Sequence, residues 1–553
     1  MTSRKAHVRA FFGGDGTLAE SDRAWLSIAL GVAGCVYLSY LAIYSYPVHG
    51  AGLYLAIAEQ ISEHGYRLPR TIPHYTADGV PFAYPPLMFY VIAAFRDGVG
   101  IDPIALTRYL PGLITIAYLV PYYYTAKELL ESPSHAGIAT VLLFVTPVVL
   151  KWHLAAGGIV RAAAFLFVLT GLYTGLHLFK TGDRRWLLPS VVLFALTVLT
   201  HPVYATFFGL TYLLMFSFFD RSQRGIGHGV MVAIGGILLA APWWWQVISM
   251  HGPTIFSTAA RTHDGLGGGA PRLLESFVSP LLSLSHWPFY VLSVAGVLSL
   301  GRRRRFFLPI WLLSTGYVFV QDRLLYVAGS MAAAVFIVDV CLPTVRERFR
   351  VESNRRLVPL FVVVLLGCSV VGFGVLTTTD IELDGQTEHV LPAPYMDRQD
   401  QRAMTWVKHR TAPSARFVVL GDAAELFPFV TNRTSLISPW GVEWEGNAQF
   451  EYQKELYDST SACSNAECLT RSLADAQFQP EYVYVPKGHY TIRRDDRTQS
   501  PRMRRSLVAS KRYTLVFENR GVMIFRVVSS SEMAISLRIE AVSTSNATAQ
   551  IRT

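Results

Sequence analysis

The sequence predicts an all-α polytopic membrane bundle of about eleven spans, with interfacial helices in its first external loop and a C-terminal extracytoplasmic α/β domain. Three observations predict it. Apolar runs near or above ~18 residues, the length a bilayer demands, recur too often to be buried core helices. Charged residues make up only 16% of the chain, against about 25% in soluble domains. The basic clusters "KTGDRR" (180–185), "DRSQR" (220–224), "GRRRR" (301–305) and "RERFRVESNRR" (346–356) lie in short gaps between the apolar runs, the pattern of cytoplasmic loops. Those loops account for the net charge of +10, which therefore does not point to nucleic acid.

Taken in order, the spans fall near 24–46, 107–125, 135–153, 159–179, 186–200, 202–219, 229–249, 284–300, 305–320, 324–342 and 357–377. Placing the basic loops inside puts 154–161, the tip at Thr200–Pro202, and 250–283 outside. The first helix follows a basic N-terminus (Arg4, Lys5, Arg9, Arg23), so it starts in the cytoplasm and ends outside. It is too long for the apolar core of a cleavable signal and reads as a retained span. The span at 107–125 must also start outside, so the loop 47–106 begins and ends on one side. Within it, "FAYPPLMFYVIAAF" (82–95) reaches roughly 20 Å as a helix, short of the ~30 Å core of a bilayer. Pro85 and Pro86 start a helix there that is interfacial or re-entrant. Residues 51–64 show helical periodicity, with Leu53, Ile57 and Ile61 on one face and Glu59 and Glu63 among the polar positions. That pattern predicts a helix lying flat on the membrane. The stretch "RLPRTIPHYTADGVPFAYPP" is a rigid, proline-rich loop.

Residues 1–379 therefore read as the membrane domain, 380–530 as the α/β domain, and 531–553, rich in Ser and Thr, as a tail. The α/β reading rests on helices at 397–410 and 468–478, strands at 416–422 and 481–487, and a hairpin at 513–527. Cys35, Cys341 and Cys368 lie in or at the ends of apolar runs and read as packing residues. Cys463 and Cys468 flank "SNAE" in polar sequence, with no neighbouring Cys or His to complete a zinc set. A local disulfide in an oxidising space is the better reading. Sequons at Asn432 and Asn546 fall on the same side. There is no internal repeat and no metal motif.

Five pieces carry a resemblance. They are "HGYRLPRTIPHYTADGVPFAYPPLMFY" in the first loop, "AAGGIVRAAAFLF" at 155–167, "LTHP" at 199–202, "APWWWQVISMHG" at 241–252, and "ELFPFVTNR" with "GVEW" in the outer domain. Together with the helical layout they make the chain similar to GT-C polyprenyl-phosphate-sugar glycosyltransferases, of the dolichyl-phosphate-mannose mannosyltransferase and aminoarabinose transferase kind. The resemblance implies an enzyme in the cell membrane. It would move a sugar, mannose foremost, from a polyprenyl or dolichyl phosphate to an acceptor glycan or protein on the outer face. The partners are then the lipid-linked donor, the acceptor and membrane lipids; no cofactor is certain, and a divalent cation is left open. Relatives carry an acidic residue directly after the first helix as the catalytic base. The matching position here is Gly50, which has no proton acceptor.

That chemistry needs a carboxylate to take a proton from the acceptor and cations to stabilise the leaving phosphate. Glu59 and Asp78 are the nearest candidate bases, although Glu59 suits an exposed helix face and Asp78, in "TADG", suits a turn. Arg161, after two glycines at the end of a span, is the leading phosphate ligand; the alternative is an arginine snorkelling to the interface. His201 before Pro202 either meets the phosphate or caps a helix, and Arg323 beside Asp322 either does so or forms a surface pair. His74 and Tyr84 are candidates for the sugar or acceptor, with loop packing as the alternative. Trp243 to Trp245 read as an interface belt. A transporter would put charges at mid-span, whereas most charges here sit at span ends. A catalytically silent scaffold is the third reading, made real by Gly50.

Overall fold

The computed structural model describes residues 21–48, 50–262, 269–278, 287–349, 381–383, 386–388, 396–487, 489–492, 495–498 and 501–528. The apolar run 357–377, Cys368, the sequon at Asn546, the tail and the basic residues before Ser21 lie outside them. The chain divides into two compact units. The first comprises Met1–His49, Tyr84–Pro253 and His263–Pro392, and the second Gly50–Ala83, Thr254–Thr262 and Ala393–Thr553. The first loop, read from the sequence with the membrane domain, thus contributes Gly50–Ala83 to the second unit.

The first unit is a multi-pass helical bundle. Among the described residues, five helices are long and apolar enough to cross a membrane: Asp22–Ile43, Pro103–Leu130, Gly158–Thr181, Pro202–Phe219 and Asp322–Thr344. Two bent pairs raise the number to seven if each is one span: Pro133–Val145 with Pro147–His153, bent by 62°, and Gln223–Leu239 with Ala241–His251, bent by 56°. The expected runs at 186–200, 284–300 and 305–320 form the shorter helices Leu187–Val198, Trp287–Arg302 and Phe307–Val318. Local chemistry sets the ends. The Ser21 hydroxyl accepts the Ala24 N–H, and Asp102 accepts the Ala105 N–H. The 62° bend falls at Pro147, whose ring occupies the first turn of the second helix and forbids a continuous one.

The proline-headed stretch of the first loop becomes the helix Leu87–Val99, ended by Gly100 in the left-handed conformation. It has 13 residues, too few to span. Its first N–H is donated to the Leu199 carbonyl at 3.0 Å, which ties it to the turn leading into His201.

The second unit is built on a five-stranded mixed sheet ordered Tyr513–Glu518, Val522–Val527, Tyr482–Pro486, Arg416–Val419, Thr434–Ser435. The first three strands pair antiparallel, and the last two join in parallel. The first loop is stitched to the Thr434–Ser435 edge. Ser435 donates its N–H to the His74 carbonyl at 2.9 Å, and Thr76 donates to the Ser435 carbonyl at 3.0 Å. The expectation of a membrane-lying helix at 51–64 is corrected here. Leu53, Ile57 and Ile61 are buried, and their helix, Gly52–Glu63, packs on the helix Ala423–Thr431. An amphipathic stripe signals burial, and a protein surface satisfies it as well as lipid does. Cys463 and Cys468 are joined by a disulfide.

Candidate functional site

The first unit gathers cations around one indole. The bent pair delivers Trp152 and His153 at the end of its second half, and the chain then turns through 154–157 into the helix that carries Arg161. Gly158 makes that turn possible, since a Cβ there would lie 2.2 Å from the His153 carbonyl oxygen. The short turn Asp322–Leu324, at the head of the helix Leu325–Phe336, presents Arg323. The Arg161 guanidinium lies 4.8 Å from the Trp152 ring centroid, and that of Arg323 lies 5.2 Å from it. His201 stacks edge-on against Tyr204, with ring centroids 5.0 Å apart. Three residues far apart in sequence, Arg161, His201 and Arg323, thus share one neighbourhood.

A polar relay fixes it. Arg323 Nε donates to the Tyr204 hydroxyl at 2.7 Å. That hydroxyl lies 2.8 Å from His153 Nε2, and His153 Nδ1 lies 3.1 Å from the Tyr118 hydroxyl, both within hydrogen-bonding distance. Arg323 is 4% exposed, and its remaining side-chain hydrogen bond goes to Gln321. Arg323 is buried and Asp322 also pairs with Arg272 at 3.0 Å, so the surface-pair alternative for Arg323 is corrected. His201 occupies the N-cap position of Pro202–Phe219 without a side-chain capping bond, so the capping alternative fails too. An apolar cavity lies alongside. Its lining includes Val148, one turn before Trp152, and Asp322, the neighbour of Arg323, with Leu312, Leu325 and Tyr326.

Sequence reasoning did not find Trp152, His153, Tyr204 or Tyr118. "KWH" at 151–153 is an unusual polar triplet inside an apolar run, and that was the available signal. Tyr84 belongs to the first unit, where its ring meets Phe89 edge-on at 6.3 Å.

The remaining candidates lie in the second unit. His74 Nδ1 is 3.1 Å from the Thr434 hydroxyl. Burial holds its pKa below the ordinary value, with the Arg433 charge adding to that effect and a hydrogen bond to Asn432 opposing it. Asp78 is exposed, in the hairpin turn closed by the Thr76 hydroxyl on the Gly79 carbonyl at 2.9 Å. Glu59 is half-buried. Beneath the loop, the fully buried Tyr75 donates its hydroxyl to the Glu425 carbonyl at 2.7 Å. Its phenol is pushed well above the ordinary range by burial and then by the charges of Glu425 and Glu59. Glu445 is raised by burial and by Asp78. Among the described residues, no three His, Cys, Asp or Glu side chains are grouped closely enough to hold a metal ion.

No family model matches the chain, and no curated protein matches it in sequence. Solved structures do. ArnT from Cupriavidus metallidurans, bound to undecaprenyl phosphate, is similar over 92% of this chain and 99% of its own, at 12% identity and a TM-score of 0.51. The oligosaccharyltransferase AglB from Archaeoglobus fulgidus, in complex with an inhibitory peptide and a dolichol-phosphate, matches 82% of this chain and 69% of its own at 12% identity and a TM-score of 0.53. The chain has the GT-C fold. The mycobacterial arabinofuranosyltransferase AftD shares this fold over 93% of the present chain, at 14% identity and a TM-score of 0.55, although that match spans only 40% of AftD itself. With identities this low, the GT-C fold is what these likenesses show. The bent pair, the turn at Gly158 and the loop that docks on the sheet edge are then features of how this chain builds it.

Proposed function

We propose that this chain is a membrane glycosyltransferase. It moves a sugar, mannose foremost, from a polyprenyl or dolichyl phosphate to a hydroxyl of an acceptor glycan or protein on the outer face of the cell membrane, in glycoprotein glycan assembly. The observation that carries the reading is the placement of two guanidiniums against the Trp152 ring, one of them buried. Among the described residues Arg161 makes no ion pair, and the hydrogen bonds of the Arg323 side chain go to the neutral partners Tyr204 and Gln321. Burying a cation without an anion costs several kcal/mol. A phosphate bound there would offset that cost through charge-assisted, bidentate hydrogen bonds.

The apolar cavity beside Arg323 suits an isoprenoid tail. ArnT and AglB, which share the fold, hold lipid phosphates of that chemistry. In this reading Arg161, Arg323 and His201 hold the donor phosphate. His74 and Tyr84 belong to the sugar or acceptor side, and a carboxylate of the second unit, for which the sequence offers Glu59 and Asp78, takes the acceptor proton. The basic loops support a cytoplasmic N-terminus, and the Cys463–Cys468 disulfide suits an oxidising space outside. The test is deletion of the chain followed by mass spectrometry of surface glycans. Loss of one sugar supports the reading, and an unchanged profile refutes it.

A further inference from the structure

We propose that Tyr204 is the positioning residue of the donor-phosphate site: its hydroxyl, together with the Gln321 side chain, aims the Arg323 guanidinium, and its ring supports the other two phosphate ligands. The inference rests on the transferase reading above and adds the residue on which its three ligands converge.

Three contacts of one side chain carry it, all within the first unit. Tyr204 lies in the first turn of the helix Pro202–Phe219, whose N-cap position is His201. Its ring meets that of His201 edge-on, with centroids 5.0 Å apart. The Arg323 guanidinium lies 5.4 Å from the Tyr204 ring centroid, and its Nε donates to the hydroxyl at 2.7 Å. The ring also meets Phe165 edge-on at 5.8 Å. Phe165 stands one turn after Arg161 on the helix Gly158–Thr181. Arg323 and His201 are thus reached from Tyr204 directly, and Arg161 through Phe165.

The hydroxyl does the aiming. A guanidinium is planar, so hydrogen bonds at two of its nitrogens fix its plane and the direction of the third. Arg323 Nε is held by Tyr204, and Nη2 by the Gln321 side-chain carbonyl. Among the described residues Nη1 makes no hydrogen bond to protein. It is the group left for a phosphate oxygen.

Tyr204 is itself held from behind. It is fully buried, as is His153. Its hydroxyl lies 2.8 Å from His153 Nε2, and His153 Nδ1 lies 3.1 Å from the Tyr118 hydroxyl. A neutral imidazole offers one donor and one acceptor, so either tautomer serves both phenols. The His153 and Tyr118 rings pack on Phe165, with centroids 4.8 and 4.9 Å from it. The row Tyr118–His153–Tyr204 therefore anchors the aiming hydroxyl to the helix Pro103–Leu130, which carries no phosphate ligand in this reading. Charge builds on the phosphate as the sugar leaves, and a guanidinium already aimed at it needs no reorientation at that moment.

The test is a double-mutant cycle on the binding of a synthetic polyprenyl phosphate to the purified full-length chain, with thermal melting alongside. Tyr204→Phe keeps the ring contacts and removes the hydroxyl. It is expected to weaken binding roughly 10-fold, the worth of one hydrogen bond to a charged group. In an Arg323→Met background, where no guanidinium is left to aim, it is expected to change nothing further. A merely structural hydroxyl would affect both backgrounds alike. Wild-type affinity in Tyr204→Phe, or equal weakening with and without Arg323, overturns the inference and leaves the phosphate cluster standing. A wild-type chain that does not bind the lipid phosphate overturns the cluster and the inference together. If Tyr204→Phe does not fold, Gln321→Met decides, because it removes the other bond that aims the guanidinium. Weakening confined to the chain that keeps Arg323 supports the aiming; unchanged affinity, or equal weakening in both backgrounds, overturns it.

Discussion

Replacing Arg323 with glutamine removes a buried charge while keeping a donor that reaches Tyr204. The structure allows the effect on lipid-phosphate binding to be sized. A hydrogen bond to a charged group contributes about 1.5–3 kcal/mol, which is roughly 10- to 150-fold in affinity. Folding should change far less. The side chain's present hydrogen-bond partners, Tyr204 and Gln321, are neutral, and removing a buried charge relieves desolvation. Loss of the stacking on Trp152, 5.2 Å away, works in the opposite direction by about 1–2 kcal/mol. The assay is equilibrium binding of a synthetic polyprenyl phosphate to the purified full-length chain, with thermal melting alongside. Arg161→Gln should weaken binding as well. The double variant should lose less than the sum of the two singles, since both cations act on one phosphate. Unchanged affinity in Arg323→Gln with unchanged melting would refute the assignment of this cluster to phosphate.

Three further outcomes follow. Gly158→Ala should cost about 1–3 kcal/mol, seen as a lower melting temperature and weaker lipid-phosphate binding, because its Cβ would meet the His153 carbonyl oxygen at 2.2 Å; wild-type behaviour in both would refute the tight turn that positions Arg161. The Asp400 carboxyl is raised to about 7 by burial, against opposing hydrogen bonds from the Tyr484 hydroxyl and the Asp397 N–H. The unfolded chain releases this proton near pH ~4, so the folded state holds an extra proton between pH ~4 and ~7 and stability falls as pH rises through that window; Asp400→Asn should flatten that fall in pH-dependent unfolding, and an unaltered slope would contradict it. Thiol labelling of the denatured, unreduced chain should leave Cys463 and Cys468 unmodified, and labelling of both would deny the oxidising compartment.

Much of the fold was legible because lipid imposes a length and a charge rule that sequence cannot disguise. The run at 82–95 was readable as too short to cross, and it forms a 13-residue helix. The helix read at 397–410 and the strands read at 416–422 and 481–487 occupy Arg398–Arg410, Arg416–Val419 and Tyr482–Pro486. Periodicity alone could not say what the apolar face of 51–64 packs against; the partner, the helix Ala423–Thr431, lies more than 350 residues away. The same long-range folding hid the site. Arg161, His201 and Arg323 were readable singly as polar residues at helix ends, but the indole and the tyrosine that gather them come from helices whose sequence is otherwise ordinary.

The central claim, transfer of a sugar from a lipid phosphate, is tested most directly by following the sugar. Membranes with and without the chain are supplied with radiolabelled dolichyl-phosphate mannose and an acceptor glycan extract from the deletion strain. The account predicts that label passes from lipid to acceptor only where the wild-type chain is present, and that Arg323→Gln membranes fall behind. Label that stays on the lipid in every membrane, or moves equally without the chain, would contradict it.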